Sequence, residues 1–115
     1  MPGHLREVNI KADMPTVSDA IKRVTYSIRS GSELGFSAVK IIHGYGSTGK
    51  GGKIRTETRH YLQQQKEKRL IKDYIPGESF SIFNEATRKA FSVCDELRYD
   101  SDLDRSNNGI TIVIL

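Results

Sequence analysis

Residues 41–55 of the chain read IIHGYGSTGKGGKIR. An apolar, β-branched run over residues 38–42 ends at His43, a glycine-rich loop follows, and a basic, helix-forming segment begins at Lys53. This order predicts a strand with His43 at its carboxyl end and a loop at the amino end of a helix. Glycines allow close approach of the backbone to a ligand, and helix-start amides favour an anion. We therefore expect a phosphate-binding loop with one titratable side chain at its edge.

The segment before this stretch predicts a strand followed by a helix. Apolar and polar residues alternate over residues 5–11, which is typical of a strand. Thr16 is the expected N-cap of the helix, and Asp19 is its capping-box partner. Apolar residues then recur at helical spacing, and Gly31 and Gly35 are expected to end the helix.

The segment after this stretch predicts a second helix whose largely charged surface faces solvent. Phe83 and Cys94 are expected on the buried stripe of a third helix, because they recur there at helical spacing. The remaining predicted elements are a central strand over residues 37–43, helices over 53–68 and 79–99, a strand over 70–75, an acidic loop over 100–108 and a final strand over 110–115.

These elements predict an α/β fold with strands and helices in the order β-α-β-α-β-α-β. The first two strands are expected to be parallel and joined by a right-handed crossover. A chain of 115 residues has the length of one domain, so we expect residues 1–115 to form a single domain.

The net charge, the cysteine count and the lengths of the apolar runs exclude several classes of protein. The formal net charge of +4 and pI of about 9.3 permit nucleic-acid binding without requiring it. Cys94 is the one cysteine, which excludes an intrachain disulfide and a cysteine-rich zinc site. No apolar run approaches the ~20 residues of a membrane span, and the first residues lack the apolar core of a signal peptide. We expect a cytoplasmic protein with no membrane partner, no metal site and no cofactor.

Basic residues dominate residues 50–72, which include the end of the glycine loop and the second helix, whereas acidic residues dominate residues 95–104. Clustered cations beside a phosphate-binding loop suit a nucleic-acid backbone. A nucleotide-binding P-loop is the competing hypothesis, because residues 44–50 fit G-x-x-x-x-G-K. It is disfavoured because Gly51 stands where a hydroxyl should hold Mg²⁺.

Several motifs together resemble those of the Smr (small MutS-related) domain. Residues 43–46, HGYG, match its H-G-x-G hallmark, and Lys53-Ile54-Arg55 resembles the G-x-L-R motif that follows it. Residues 16–21, TVSDAI, are similar to the start of its first helix, and residues 108–115, NGITIVIL, to its final strand. The resemblance covers about residues 5–75 and 108–115.

The resemblance implies a compact two-layer α/β sandwich with a mixed sheet of about four strands. The implied order is β-α-β-α-β-(inserted α)-β, similar to the C-terminal domain of bacterial translation initiation factor three. Residues 79–107 stand where the family has a short connection, so they are expected to be an inserted helix and acidic loop. Covering a sheet edge, mediating self-association and shielding the site are the roles left open for this insertion.

The resemblance implies that DNA or RNA is the partner, in repair, recombination or RNA quality control. The family's L-D-x-H motif falls on residues 8–11, where Asn9 replaces the acid and Lys11 replaces the histidine. Asn9 cannot take a proton near neutral pH, and lysine is a poor base unless it is desolvated. The predicted function is therefore nucleic-acid binding with lost or weakened cleavage.

Two alternatives stay open: an active DNA-nicking or RNA endonuclease, and a protein-interaction module that uses the inserted helix. In the endonuclease, His43 and Lys11 are the candidate catalytic residues, and a divalent metal is expected only there. The oligomeric state is unknown. The predicted phosphate- or nucleic-acid-binding residues are Gly44, Tyr45, Gly46, Lys50, Lys53, Arg55 and Arg59.

Overall fold

A computed structural model describes residues 3–45 and 50–115. Its elements follow the predicted alternation of strands and helices. The strands are β1 (Leu5–Asn9), β2 (Ala38–Ile42), β3 (Asp73–Pro76) and β4 (Ile110–Ile114). The helices are α1 (Val17–Glu33), α2 (Lys50–Glu67) and α3 (Glu85–Val93), with 3₁₀ turns at Gly77–Ser79 and Asp95–Tyr99.

The strands form a four-stranded mixed sheet in the order β1-β2-β4-β3. Strands β1 and β2 are parallel, with Leu5 opposite Ala38, as the strand–helix–strand pattern predicts. Strand β4 is antiparallel to both of its neighbours, β2 and β3. The carboxyl ends of β1, β2 and β3 therefore meet at one edge of the sheet, where β4 begins. The predicted α/β class and mixed four-stranded sheet are confirmed.

One face of the sheet is covered by α1 and α2. The capping prediction for α1 is confirmed, because the Thr16 side chain accepts a hydrogen bond from the backbone N–H of Asp19 at 3.1 Å. The prediction that Gly31 ends α1 is wrong. The helix continues to Glu33, and Gly31 is buried against the sheet, where a Cβ atom would lie 3.3 Å from Cγ2 of Val39.

A third layer covers the opposite face. The buried side chains of α3 and of the 3₁₀ turn Asp95–Tyr99 form one hydrophobic cluster with the residues of this sheet face. Residues 79–107, the segment that the resemblance predicts to be an insertion and that we call the insertion, pack on a sheet face. Helical structure therefore lies on both sides of the sheet, which adds a third layer to the two-layer sandwich that the resemblance implies. The members of this cluster are Ala38, Ile75, Phe80, Ala90, Phe91, Cys94, Leu97, Ile110, Ile112 and Ile114.

The third helix is shorter than predicted. It begins after Asn84, whose side chain accepts a hydrogen bond from the N–H of Thr87 at 2.9 Å, and it ends before Cys94, which has an extended conformation. Phe83 precedes the cap and is 86% exposed, so its predicted place on the buried stripe is wrong. Cys94 is fully buried, as predicted.

Two further boundaries differ from the predictions. Helix α2 begins at Lys50, three residues before the predicted start at Lys53. Strand β3 begins at Asp73, because the chain turns through Arg69 with a φ of 61° and leaves Leu70 exposed.

The insertion is tied to the sheet by a buried ion pair that the sequence analysis does not predict. Lys40 projects from the centre of β2 and is only 4% exposed. Its Nζ donates to Asp100 at 2.9 Å and contacts Asp102 at 2.5 Å. Burial lowers the pKa of Lys40, but hydrogen bonds to Asp102 and Asp100 outweigh that effect, so the pKa is raised and the side chain stays charged.

Candidate functional site

The candidate site lies at the sheet edge where the first three strands end. Lys11 follows β1, His43 follows β2 and Glu78 follows β3, whereas Gly109 directly precedes β4. The backbone N–H groups of His43 and Gly44 both donate to the carbonyl of Gly109, at 3.0 and 2.9 Å. The start of the glycine loop is therefore anchored to the start of the final strand.

His43 is buried behind the loop and is 1% exposed. Its Nδ1 lies 3.0 Å from the carbonyl oxygen of Gly44, and its Nε2 lies 2.8 Å from Oγ1 of Thr111. A carbonyl oxygen can only accept, so Nδ1 carries the proton, and Nε2 accepts from the hydroxyl of Thr111. Both ring nitrogens are thus engaged within the protein.

The environment of His43 favours its neutral form. Burial is the largest cause and lowers its pKa to about 4, although the hydrogen bond to Gly44 opposes the shift. The positive charges of Arg59 and Arg55 lower the pKa further. At neutral pH the imidazole therefore carries no charge and orients the loop through its two hydrogen bonds.

Arg59 connects α2 to the other elements of this edge. Its Nη1 and Nη2 donate to Glu78 at 2.8 and 2.7 Å, and its Nε donates to Oγ1 of Thr111 at 3.2 Å. Nη2 also lies 3.3 Å from the carbonyl oxygens of Asn108 and Ile110. The predicted phosphate contact of Arg59 stays a prediction, but the guanidinium is already bound to a carboxylate.

Glu78 is charged at neutral pH. Burial raises the pKa of this carboxyl, but the hydrogen bond and charge of Arg59 outweigh it, so its pKa is below the usual value. Arg55 adds to the same effect. The carboxylate therefore places one negative charge beside the cations of the edge.

Lys11 lies across the start of the glycine loop. A Cβ atom on Gly44, which has a φ of 81°, would lie 3.1 Å from Cδ of Lys11. The turn that carries Lys11 is held by Asn9, whose Oδ1 accepts from the backbone N–H of Lys11 at 2.9 Å. The parallel pairing of β1 and β2 thus brings Lys11 beside the start of the loop.

The remaining predicted residues divide into three groups. Arg55 is half-buried and near His43 and Glu78, whose pKa values its charge lowers. Lys53 and Tyr45 are exposed. Gly46 lies outside the described residues, and Lys50 is the first residue of α2.

Thr111 and Glu78 belong to this edge but are absent from the predicted set. Thr111 carries a signal in the sequence, because it is the one polar residue in the otherwise apolar ITIVI of β4. Glu78 carries none, because it lies in an ordinary polar turn, and only the fold places it against Arg59.

The described residues contain neither a metal-binding cluster nor a helix that could span a membrane. Within residues 3–45 and 50–115, no three His, Cys, Asp or Glu side chains are grouped as a metal site requires. Over the same ranges, no helix has the length and apolar character needed to cross a membrane.

Comparison with known proteins places the chain in a family. The family model of the Smr domain matches residues 13–79, more than half of the chain. The chain belongs to the Smr family. The crystal structure of the Smr domain of Thermus thermophilus MutS2 is similar to this Smr domain, with a TM-score of 0.58 and 19% sequence identity. The match covers 96% of both chains. No curated protein sequence matches the chain.

The family match ends at residue 79, where the predicted insertion begins. At 19% identity the similarity to the MutS2 domain concerns the fold alone. The residues of the site in this Smr domain are therefore argued from their own geometry.

Proposed function

We propose that this Smr domain binds the sugar–phosphate backbone of DNA or RNA at the sheet edge formed by Lys11, Gly44 and α2. The supporting observation is that cations from separate elements converge there. Lys11 comes from the turn after β1 and Arg55 from α2, on the same edge as Gly44. Neither side chain forms a hydrogen bond or ion pair with another described residue, so both have charge to offer a phosphate.

His43 supports binding more strongly than cleavage. A general base needs a nitrogen within hydrogen-bond reach of the proton that it removes. Here the ring is buried, both nitrogens are engaged and the imidazole is neutral. In this role His43 is a positioning residue that holds Gly44, and Lys11 binds phosphate instead of moving a proton.

The first experiment measures binding to a fluorescently labelled oligonucleotide in low and raised salt. The test variant is Lys11→Ala with Arg55→Ala. The matched control is Lys68→Ala with Lys72→Ala, which removes the same charge near the opposite sheet edge. We expect the test variant to bind about tenfold or more weakly, and each lost phosphate contact to reduce the salt slope by about 0.7 to 0.9. Equal losses in both variants would refute the site.

A parallel assay tests cleavage. Supercoiled plasmid and single-stranded RNA are incubated with the protein, with and without Mg²⁺. Intact substrates together with salt-sensitive binding support the binding function. Cleavage that disappears in a folded His43→Gln variant would replace it with the endonuclease alternative. If the protein neither binds nor cleaves, the inserted helix becomes the surface to test for protein partners.

A further inference from the structure

A shallow groove lies between α1 and β1, next to the candidate site. It has a volume of about 330 Å³, and we call it the α1–β1 groove. Strand β1 is an edge strand, so no further strand of the sheet covers this side. Half-buried Val8 and buried Ser27 line its deeper part, whereas Arg6, Asn9, Lys22, Arg23 and Tyr26 are its remaining lining residues.

Two arginines of the groove are each held through one nitrogen. Nη1 of Arg23 donates to the carbonyl oxygens of Ile10 and Ala12, at 3.2 and 2.6 Å. Nη1 of Arg6 donates to Oγ of Ser30 at 2.8 Å. The other guanidinium nitrogens form no hydrogen bonds with described residues. A guanidinium that is already oriented loses less freedom when it binds a phosphate.

Tyr26 stands at the groove with cations on both sides along α1. Its side chain is 68% exposed and forms no hydrogen bond within the described part of the chain. Lys22 lies four residues before it and Arg29 three residues after it, so both neighbour it on the helix surface. An exposed ring between cations suits an unpaired base, which stacks on the ring while its phosphates meet the charges.

The groove is continuous with the proposed site. The carbonyl groups that hold Arg23 belong to Ile10 and Ala12, the residues on either side of Lys11. Lys11 in turn lies across Gly44. At about 3.3 Å per strand residue, Arg6 lies about 10 Å from Asn9 at the carboxyl end of β1, and Lys11 follows in the turn directly after it. A nucleic-acid strand that Lys11 holds at the sheet edge therefore reaches the groove directly.

We propose that the α1–β1 groove is a second contact surface for single-stranded nucleic acid. Tyr26 stacks on an unpaired base, and Lys22 and Arg23 bind the adjacent phosphates. The bases of a duplex are paired and stacked on each other, so they offer no free face to the ring. This inference rests on the proposed function and narrows its ligand to single strands.

The test compares a labelled oligothymidylate of about 20 nucleotides with a duplex of the same length, using the full chain at low salt. The variants are Tyr26→Ala and Tyr26→Phe. The control is Tyr99→Ala, an 82% exposed tyrosine in the layer on the opposite face of the sheet. Circular dichroism confirms that each variant is folded.

We expect Tyr26→Ala to weaken binding of the single strand by about fivefold or more and to leave duplex binding unchanged. Tyr26→Phe and Tyr99→Ala should bind both probes like the parent. Lys22→Gln should reduce the salt slope for the single strand by about 0.7.

Two results would overturn the inference. If Tyr26→Ala has no effect, or weakens both probes equally, the groove is not a single-strand surface, although salt-sensitive binding by the parent still supports the proposed function. If the parent binds neither probe at low salt, both the groove and the proposed function are refuted.

Discussion

His43 illustrates how burial changes the chemistry of a single residue. Its folded pKa of about 4 lies below the unfolded value of about 6.5, so the unfolded chain binds more protons between these values. The contribution of the neutral His43 ring to the free energy of unfolding is therefore fully present above pH 6.5 and is lost as the pH falls towards 4. We expect the free energy of unfolding to fall by about 1 kcal/mol between pH 7 and 5.5, measured by urea denaturation.

The control for this prediction is His43→Gln, which cannot titrate in that range. It should be less stable at pH 7, because Gln does not reproduce both hydrogen bonds of the ring, and its stability should depend less on pH. Carboxyl groups with lowered pKa values, such as Glu78 and Asp102, titrate mainly at lower pH. The same slope in parent and variant would contradict the assignment to His43.

A second prediction at the scale of the residue concerns Glu78, which occupies the guanidinium of Arg59. Glu78→Gln removes a negative charge from the site and weakens this competition, so we expect oligonucleotide binding to strengthen by about threefold to tenfold. Glu33→Gln is the charge-matched control, because it lies at the far end of α1 from the site. Equal gains in both variants would mean that only net charge matters.

At the scale of the element, local signals predict where most strands and helices lie. The cap at Thr16 and the β-branched residues of β2 and β4 act within a few residues, so the sequence alone reveals them. Helix α3 is shorter than its apolar spacing predicts, because Asn84 caps it late and the chain becomes extended at the buried Cys94. The spacing of apolar residues in the sequence indicates neither the late start nor the early end of this helix.

The candidate site also contains some residues that local sequence signals place and others that only the fold places. Lys11, Gly44 and His43 are predictable as neighbours, because parallel strands end at one edge. The burial of His43 and the role of Thr111 depend on β4, which is distant in sequence. The guanidinium of Arg59 is occupied by Glu78, which only the fold brings close to it. Lys40 is missed for the same reason, since its partners are sixty residues away.

The buried ion pair of Lys40 with Asp100 and Asp102 predicts that strand β2 depends on this lysine for stability. Lys40→Met leaves Asp100 and Asp102 close together without their cation, so we expect a loss of about 3 kcal/mol in the free energy of unfolding. Lys89→Met is the control, because Lys89 pairs with Glu85 on an exposed helix surface. That variant should lose less than about 0.5 kcal/mol. A double variant of Lys40 and Asp100 measures the coupling in a thermodynamic cycle.

At the scale of the whole molecule, the two faces of the sheet carry different groups of residues. The face under α1 and α2 carries His43, Thr111 and the α1–β1 groove. The other face carries Lys40 and the isoleucines that the insertion covers. The insertion contains four basic and six acidic residues, so the positive charge surplus of the chain lies outside it.

This division predicts the effect of removing the insertion. Replacing residues 80–107 by a short Gly-Ser linker keeps Glu78 and joins β3 directly to β4. It exposes Ile110, Ile112 and Ile114 together with Lys40, which loses both of its acidic partners. A contiguous apolar surface of this kind promotes self-association.

We expect the shortened chain to aggregate or to bind an apolar dye, as judged by light scattering and dye fluorescence. Adding Ile112→Thr and Ile114→Thr should restore part of its solubility, because these changes replace uncovered apolar side chains by polar ones. A shortened chain that stays monomeric, unfolds cooperatively and keeps the parent's stability would show that the third layer is dispensable. Such a chain would also separate nucleic-acid binding from the insertion, since every residue proposed to contact the ligand lies outside residues 80–107.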